Sequence, residues 1–155
     1  PDDALKPPAD AIRMLVACAV GDGNLALNTN PMPDGRIEPR QVERLKEMGA
    51  WLAKYGASIY GTRGGPYRNG SWGGSCHRGD KLFLHVYQWQ PRGLAFDPLP
   101  YKVRSARTLT GSAVEFAQTT NEFTVQVAAA SGPINVSEPC PPTSGTRNSW
   151  VNGWA

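Results

Sequence analysis

The chain has 155 residues, with 16 Lys and Arg against 13 Asp and Glu, and a formal net charge of +3 at pH 7. So small and dispersed a charge does not indicate a nucleic acid or an anionic membrane as partner, and no apolar run approaches the roughly 18 residues of a membrane span. The 17 Gly and 14 Pro indicate many turns and a β-rich portion rather than a helical bundle.

The first part of the chain, 1–65, reads as helix, strand, helix. Apolar residues recur at helical spacing over 9–20, and Leu25 and Leu27 alternate within a strand predicted at 24–28. A second helix is predicted over 39–55, with Pro at its first position and one apolar stripe. The members of that stripe are Val42, Leu45, Met48, Gly49 and Leu52. This order of helix, strand and helix is typical of parallel α/β units, although one strand cannot form a sheet.

A second pattern, of short alternating runs, extends over 66–130. The run 81–89 predicts a strand with Leu82 and Leu84 on one face and His85 on the opposite, solvent side. Similar runs follow at 114–116 and 123–127, with turn-rich stretches between them. Short strands at this spacing predict an antiparallel β-sandwich.

The remaining segment, 131–155, fits neither pattern. It is rich in Pro and Gly and carries one basic side chain, Arg147. Its composition alone predicts disorder.

Five stretches between Gly23 and Tyr67 carry a resemblance to a known family. They are Asn24-Leu25-Ala26-Leu27-Asn28, Pro31-Met32-Pro33-Asp34-Gly35-Arg36-Ile37, Gln41-Val42-Glu43-Arg44-Leu45, Trp51-Leu52 and Ser58-Ile59-Tyr60-Gly61-Thr62-Arg63. Together they resemble the α-L-fucosidases of glycoside hydrolase family 29, where the catalytic barrel runs into the C-terminal β-sandwich. The resemblance is weaker from there to about residue 128 and does not include the tail from 131.

The resemblance implies an α+β chain, a helix-strand-helix remnant of a (β/α)8 barrel followed by an antiparallel β-sandwich. The segment 24–28 would be the eighth barrel strand and 39–55 the eighth barrel helix. Retaining glycosidases need two carboxyl groups about 5 Å apart, which in this family come from earlier barrel strands. The resemblance therefore assigns no catalytic residue here and implies no activity of this chain alone on fucosides. The family is often secreted, periplasmic or lysosomal, and the compartment of this chain stays open.

Polar residues after the predicted eighth strand are the first candidates for sugar binding. Asn28, Asn30 and Asp34 would lie at the carboxyl end of that strand, where barrels place functional groups. The alternative is that Asn28 satisfies backbone groups and Asp34-Gly35 makes a turn.

Ser75, His77 and Asp80 are the candidates for a newly made hydrolytic site. Ser75, or the neighbouring Cys76, would be the nucleophile, His77 the base and Asp80 the residue that orients it. No Gly-x-Ser-x-Gly elbow supports this pattern.

Trp72 and Trp89 are further candidates, because aromatic rings stack on sugar rings, although packing within a sheet is the commoner role. Neither the two histidines nor Cys18, Cys76 and Cys140 have the spacing of a metal site. We therefore expect no metal and no cofactor.

Three functions follow from these observations. The chain is part of a fucosidase-like hydrolase, a self-assembling carbohydrate-binding or structural module, or a small ester hydrolase. Its substrates would be fucosylated glycans or another small hydrolysable compound. Because Leu25, Leu27 and the stripe of the second helix lack a cover, we also expect a homo-oligomer.

Overall fold

The structure is a computed structural model that describes residues 4–90, 92–111 and 114–126 and the backbone of 134–137. Its helices are α1 (Pro8–Val20), α2 (Pro39–Tyr55) and a 3-10 turn at Gly56–Ser58. Its strands are β1 (Arg63–Gly64), β2 (Gly73–Arg78), β3 (Lys81–Val86), β4 (Leu94–Phe96), β5 (Ser105–Thr108), β6 (Glu115–Gln118), β7 (Phe123–Gln126) and β8 (Ile134–Ser137). None of the described helices is long and apolar enough to cross a membrane.

Both helices lie where the sequence predicts them. Each begins with Pro in its first turn, where a missing N–H costs nothing and the fixed φ suits the helix. At the end of α2, a Cβ on Gly56 would come within 2.7 Å of the Tyr60 ring. Glycine therefore lets the chain turn back closely beneath the helix.

The prediction of a strand at 24–28 is wrong. This segment belongs to none of the described strands, and Leu27 is 36% exposed. A strand needs a neighbouring chain to receive its hydrogen bonds, and the described residues offer it none. The helix-strand-helix unit is therefore two helices joined by a segment without a strand.

The antiparallel sandwich is confirmed. One sheet has five strands in the order β1-β2-β3-β8-β5, the other has three in the order β4-β7-β6, and every pair is antiparallel. The two sheets share one apolar core. It is made by Tyr67, Leu82, Leu84, Leu94, Leu99, Val103, Ala106, Val114, Phe123 and Val125. The α+β class holds for the described chain.

The tail contributes a strand that its composition did not predict. β8 lies within the segment 131–155 and pairs with β3 on one side and β5 on the other. An interior strand of the larger sheet therefore comes from a segment predicted to be disordered. The other residues of that segment lie outside the described part of the chain, together with Val127, which was predicted to end the strand β7.

The larger sheet is covered on its second face by α1. Val16 and Val20 of that helix pack on Cys76 of β2. On β3, Phe83 and His85 are also buried, at 1% and 3% exposure, and His85 Nε2 donates to the Ser58 carbonyl in the 3-10 turn after α2. The predicted solvent-side position of His85 is therefore wrong, since both faces of β3 are buried.

Candidate functional site

The polar residues that follow 24–28 are held in a turn. The backbone N–H of Arg36 donates to Asp34 Oδ1 at 3.1 Å, and its Nε donates to Oδ2 at 2.7 Å. The Arg36 guanidinium lowers the pKa of the Asp34 carboxyl. The backbone N–H of Asn30 donates to Gln41 Oε1 at 3.0 Å, and Asn28 is exposed. These contacts support the turn interpretation of Asp34.

Ser75 is a buried structural residue rather than an exposed nucleophile. Its Oγ accepts the backbone N–H of Tyr67 at 2.8 Å and donates to the Tyr67 carbonyl at 2.9 Å. Its exposure is 0%. The hydroxyl thus uses its proton and one lone pair to fasten the loop before β2 to the strand.

His77 and Asp80 do not complete a catalytic relay with Ser75. Nδ1 of His77 lies 2.9 Å from the Gly64 carbonyl, and because a carbonyl only accepts, that nitrogen carries the proton. Asp80 is exposed in the turn between β2 and β3. The neighbouring thiol is also unsuited to attack, since burial raises the pKa of Cys76 to about 11. The predicted nucleophile–base pair is not assembled among the described residues.

His85 is a buried histidine that joins β3 to the turn after α2. Its Nε2 donates to the Ser58 carbonyl at 3.2 Å, and Nδ1 has no partner among the described residues. Burial lowers the pKa of His85 from 6.5 to about 4. The ring is therefore neutral at pH 7 and ties β3 to the turn after α2.

An open cleft of about 680 Å³ lies at one edge of the sandwich. Its aromatic part is built from Tyr67 and Trp72, before β2, and Phe96 of β4. The Tyr67 and Phe96 rings stack at 4.6 Å between centroids, and the Trp72 and Phe96 rings meet edge to face at 4.8 Å. Trp72 and Trp89 are both half-buried against the core, and of the two candidates only Trp72 lines this cleft.

The rest of the cleft is polar. Arg68, Asp97, Asn121 and Glu122 line it. The register of β4 with β7 pairs Phe96 with Phe123, which brings Asp97 next to Glu122. Sequence reasoning missed these residues, because strand pairing brings together positions far apart in the chain. Among the residues that line the cleft, only Trp72 was named from the sequence as a candidate for sugar binding.

A smaller cavity of about 390 Å³ lies between the end of α1 and the loop 59–63. Asp22 has a φ of +58° there and accepts the backbone N–H of Gly64 at 2.8 Å. Its carboxylate also lies 3.7 Å from Arg63. These contacts fasten the helical part to the start of the sheet.

The described residues also include cysteines and possible metal ligands. No group of three or more His, Cys, Asp or Glu there could hold a metal ion. Cys18 and Cys76 are free thiols. Cys140 lies outside the described residues.

Comparisons with known proteins agree on one family. The sequence profile of the Alpha-L-fucosidase family matches residues 1–57. An alpha-L-fucosidase of Branchiostoma floridae is 35% identical over 91 residues, which are 54% of this chain and 19% of that protein. This chain therefore spans about a fifth of the length of that curated relative.

Solved structures extend the likeness to the sandwich. Alpha-L-fucosidase isoenzyme 1 from Paenibacillus thiaminolyticus is 27% identical with a TM-score of 0.77, over 86% of this chain and 35% of that one. The fold also matches a GH29 alpha-L-fucosidase from Bacteroides thetaiotaomicron, at 22% identity and a TM-score of 0.79, over 93% of this chain and 34% of that one. By sequence over its helical part and by fold over most of its length, the chain is similar to α-L-fucosidases and corresponds to about a third of the Paenibacillus thiaminolyticus structure.

Proposed function

We propose that this chain is the end of the catalytic barrel and the β-sandwich of an α-L-fucosidase-like glycoside hydrolase, and that it does not hydrolyse fucosides by itself. The observation that carries the proposal is the match of residues 1–57 to the fucosidase family. The fold likeness over 86% of the chain to the Paenibacillus thiaminolyticus enzyme extends it to the sandwich.

The surface of the helical part supports the barrel assignment. Leu27, Ile37 and Leu45 are 36%, 41% and 38% exposed, and the segment 24–28 lacks a strand partner among the described residues. In an assembled barrel, neighbouring strands and helices would cover such side chains and would hydrogen-bond to such a segment.

Two carboxylates of the same region are unsuited to act as the general acid of a glycosidase. Asp34 is paired with Arg36, and Glu38 is paired with Arg40. Each arginine lowers the pKa of its carboxyl partner. A general acid in a glycosidase needs the opposite, a raised pKa. These two groups are therefore unsuited to protonate a leaving group.

A chimaera tests the proposal. This chain would replace the corresponding C-terminal third of the Paenibacillus thiaminolyticus enzyme, and hydrolysis of an aryl α-L-fucoside would be measured. We expect the chimaera to be active and the isolated chain to be inactive. Turnover by the isolated chain, or a folded but inactive chimaera, would contradict the proposal. Aryl ester hydrolysis that Ser75→Ala abolishes in a folded protein would instead favour the ester hydrolase.

We also propose that the isolated chain forms a homo-oligomer through Leu27, Ile37 and Leu45. Apolar side chains without a cover in one copy gain free energy when a second copy covers them. The measurement is light scattering at micromolar concentration. Leu45→Lys should shift the mass towards the monomer, and Lys46→Gln on the same helix is the control. A monomeric mass for the wild-type chain in this measurement would contradict the proposal.

A further inference from the structure

We propose that the cleft formed by Trp72, Asp97, Asn121 and Glu122 binds a neutral oligosaccharide. This goes beyond the proposed function, because binding in the sandwich requires no catalytic carboxylate and no barrel. Nothing in the family match places a ligand there, since that match ends at residue 57.

The aromatic part of the cleft is fixed in place before any ligand binds. Phe96 stacks on Tyr67 and meets Trp72 edge to face, and the backbone carbonyl of Trp72 accepts the N–H of Tyr87 at 2.8 Å. The Tyr67 hydroxyl donates to the Asp97 carbonyl at 2.8 Å. A rigid indole that lines an open cleft gives the C–H face of a sugar ring a surface to pack on at little entropic cost.

The backbone of the polar part of the cleft is also held in place. Thr119 Oγ1 accepts the backbone N–H groups of Asn121 and Glu122 at 3.2 and 3.1 Å. These contacts shape the turn through backbone atoms. The Thr120 hydroxyl donates to Asn121 Oδ1 at 3.4 Å, which leaves the amide N–H groups of Asn121 and the Glu122 carboxylate outside these bonds. Carboxylate and amide groups are the acceptors and donors that sugar hydroxyls require.

The charge of the cleft selects the class of sugar. Two carboxylates, Asp97 and Glu122, lie with a single guanidinium, Arg68. This balance disfavours sulfated or uronic acid sugars, since a net negative lining repels a negative ligand. A neutral glycan has complementary hydroxyls and no charge to repel.

The experiment titrates the full chain with 2′-fucosyllactose, lactose and L-fucose by isothermal titration and by saturation-transfer NMR. We expect saturable binding of at least one of them, with a Kd of about 1–10 mM, as for a small solvent-exposed site. Trp72→Ala should abolish the binding. Trp89→Phe, which alters a tryptophan outside the cleft, should leave it unchanged.

A second variant covers the case in which Trp72→Ala does not fold. The double variant Asn121→Ala/Glu122→Gln keeps the backbone bonds to Thr119 and changes only exposed side chains. It should weaken binding about tenfold. Glu115→Gln, an exposed carboxylate on β6 outside the cleft, is the matched control.

Three results would overturn the inference. The first is no saturable binding of any neutral sugar up to about 20 mM, beyond the expected range. The second is binding that Trp72→Ala and the double variant, both folded, leave unchanged. The third, from a parallel titration with a sulfated lactose, is tighter binding of that sugar than of lactose. None of these results changes the outcome expected of the chimaera experiment, so the proposed function is tested independently.

Discussion

The sandwich and the helical part of this chain bury their apolar side chains to different degrees. In the sandwich, Phe123 and Leu84 are both 0% exposed, and two sheets cover one core. In the helical part, Leu27, Ile37 and Leu45 are each more than a third exposed, although α1 packs firmly on the larger sheet. The difference indicates that the sandwich is close to self-contained, whereas the helical part needs a further surface to complete it.

Truncation of one large side chain in each part would test this contrast most strongly. Phe123→Ala should lower the free energy of unfolding by about 3–5 kcal/mol, because it leaves a cavity between the sheets. Leu45→Ala should change it by less than about 0.5 kcal/mol. Urea unfolding of both variants measures the difference. A cost of Leu45→Ala that grows with protein concentration would show that another copy covers this residue.

The contact between the helical part and the sandwich should weaken in acid, because it includes the neutral His85. Its pKa is about 4 when folded and 6.5 ordinarily, so the unfolded state binds the proton first as the pH falls. The contribution of this histidine is complete above pH 6.5 and is lost as the pH falls towards 4, in total by about 3 kcal/mol. Urea unfolding between pH 7 and 4 measures this loss.

His85→Gln is the matched variant for the pH series. A glutamine amide can donate to the Ser58 carbonyl and does not titrate in this range. The stability of this variant should depend less steeply on pH between 6.5 and 4. Equal slopes for variant and wild type would contradict the role given to His85.

The smallest expected effect concerns a bond within the sandwich. Ser75→Ala would leave the buried backbone N–H of Tyr67 without its acceptor and should lower the free energy of unfolding by about 1–3 kcal/mol. Ser105→Ala, at an exposed position on β5, should have almost no effect. A Ser75→Ala variant as stable as the wild type would mean that the loop before β2 is held by other contacts.

Local signals in the sequence predicted the elements they control. Pro8 and Pro39 set the helix starts, and alternation predicted the strand that became β3. The burial of His85 was missed because alternation describes one strand and says nothing of distant segments, such as the turn at Ser58, that pack on its second face. β8 was missed because a four-residue strand is hidden in the average composition of a Pro- and Gly-rich segment.

The candidate site was predictable only in part. Trp72 was singled out as a residue able to meet a sugar, and it lines the cleft. Its polar neighbours Asp97 and Glu122 come from β4 and the turn before β7, and only the register of those strands brings them together. The hypothesis of a hydrolytic site at Ser75, His77 and Asp80 depended on their closeness in sequence. Residues that are close in sequence along a strand and its turn need not hydrogen-bond to one another.

The position of β8 has a consequence for synthesis on the ribosome. β3 and β5 are made first, yet the strand that joins them, β8, is the last of the described strands to be translated. Until residues 134–137 have left the exit tunnel, both earlier strands keep an open edge, and open edges pair readily with other chains. The growing sandwich therefore depends on a late segment to protect it, and a pause in translation shortly before residue 134 would prolong its exposure to aggregation.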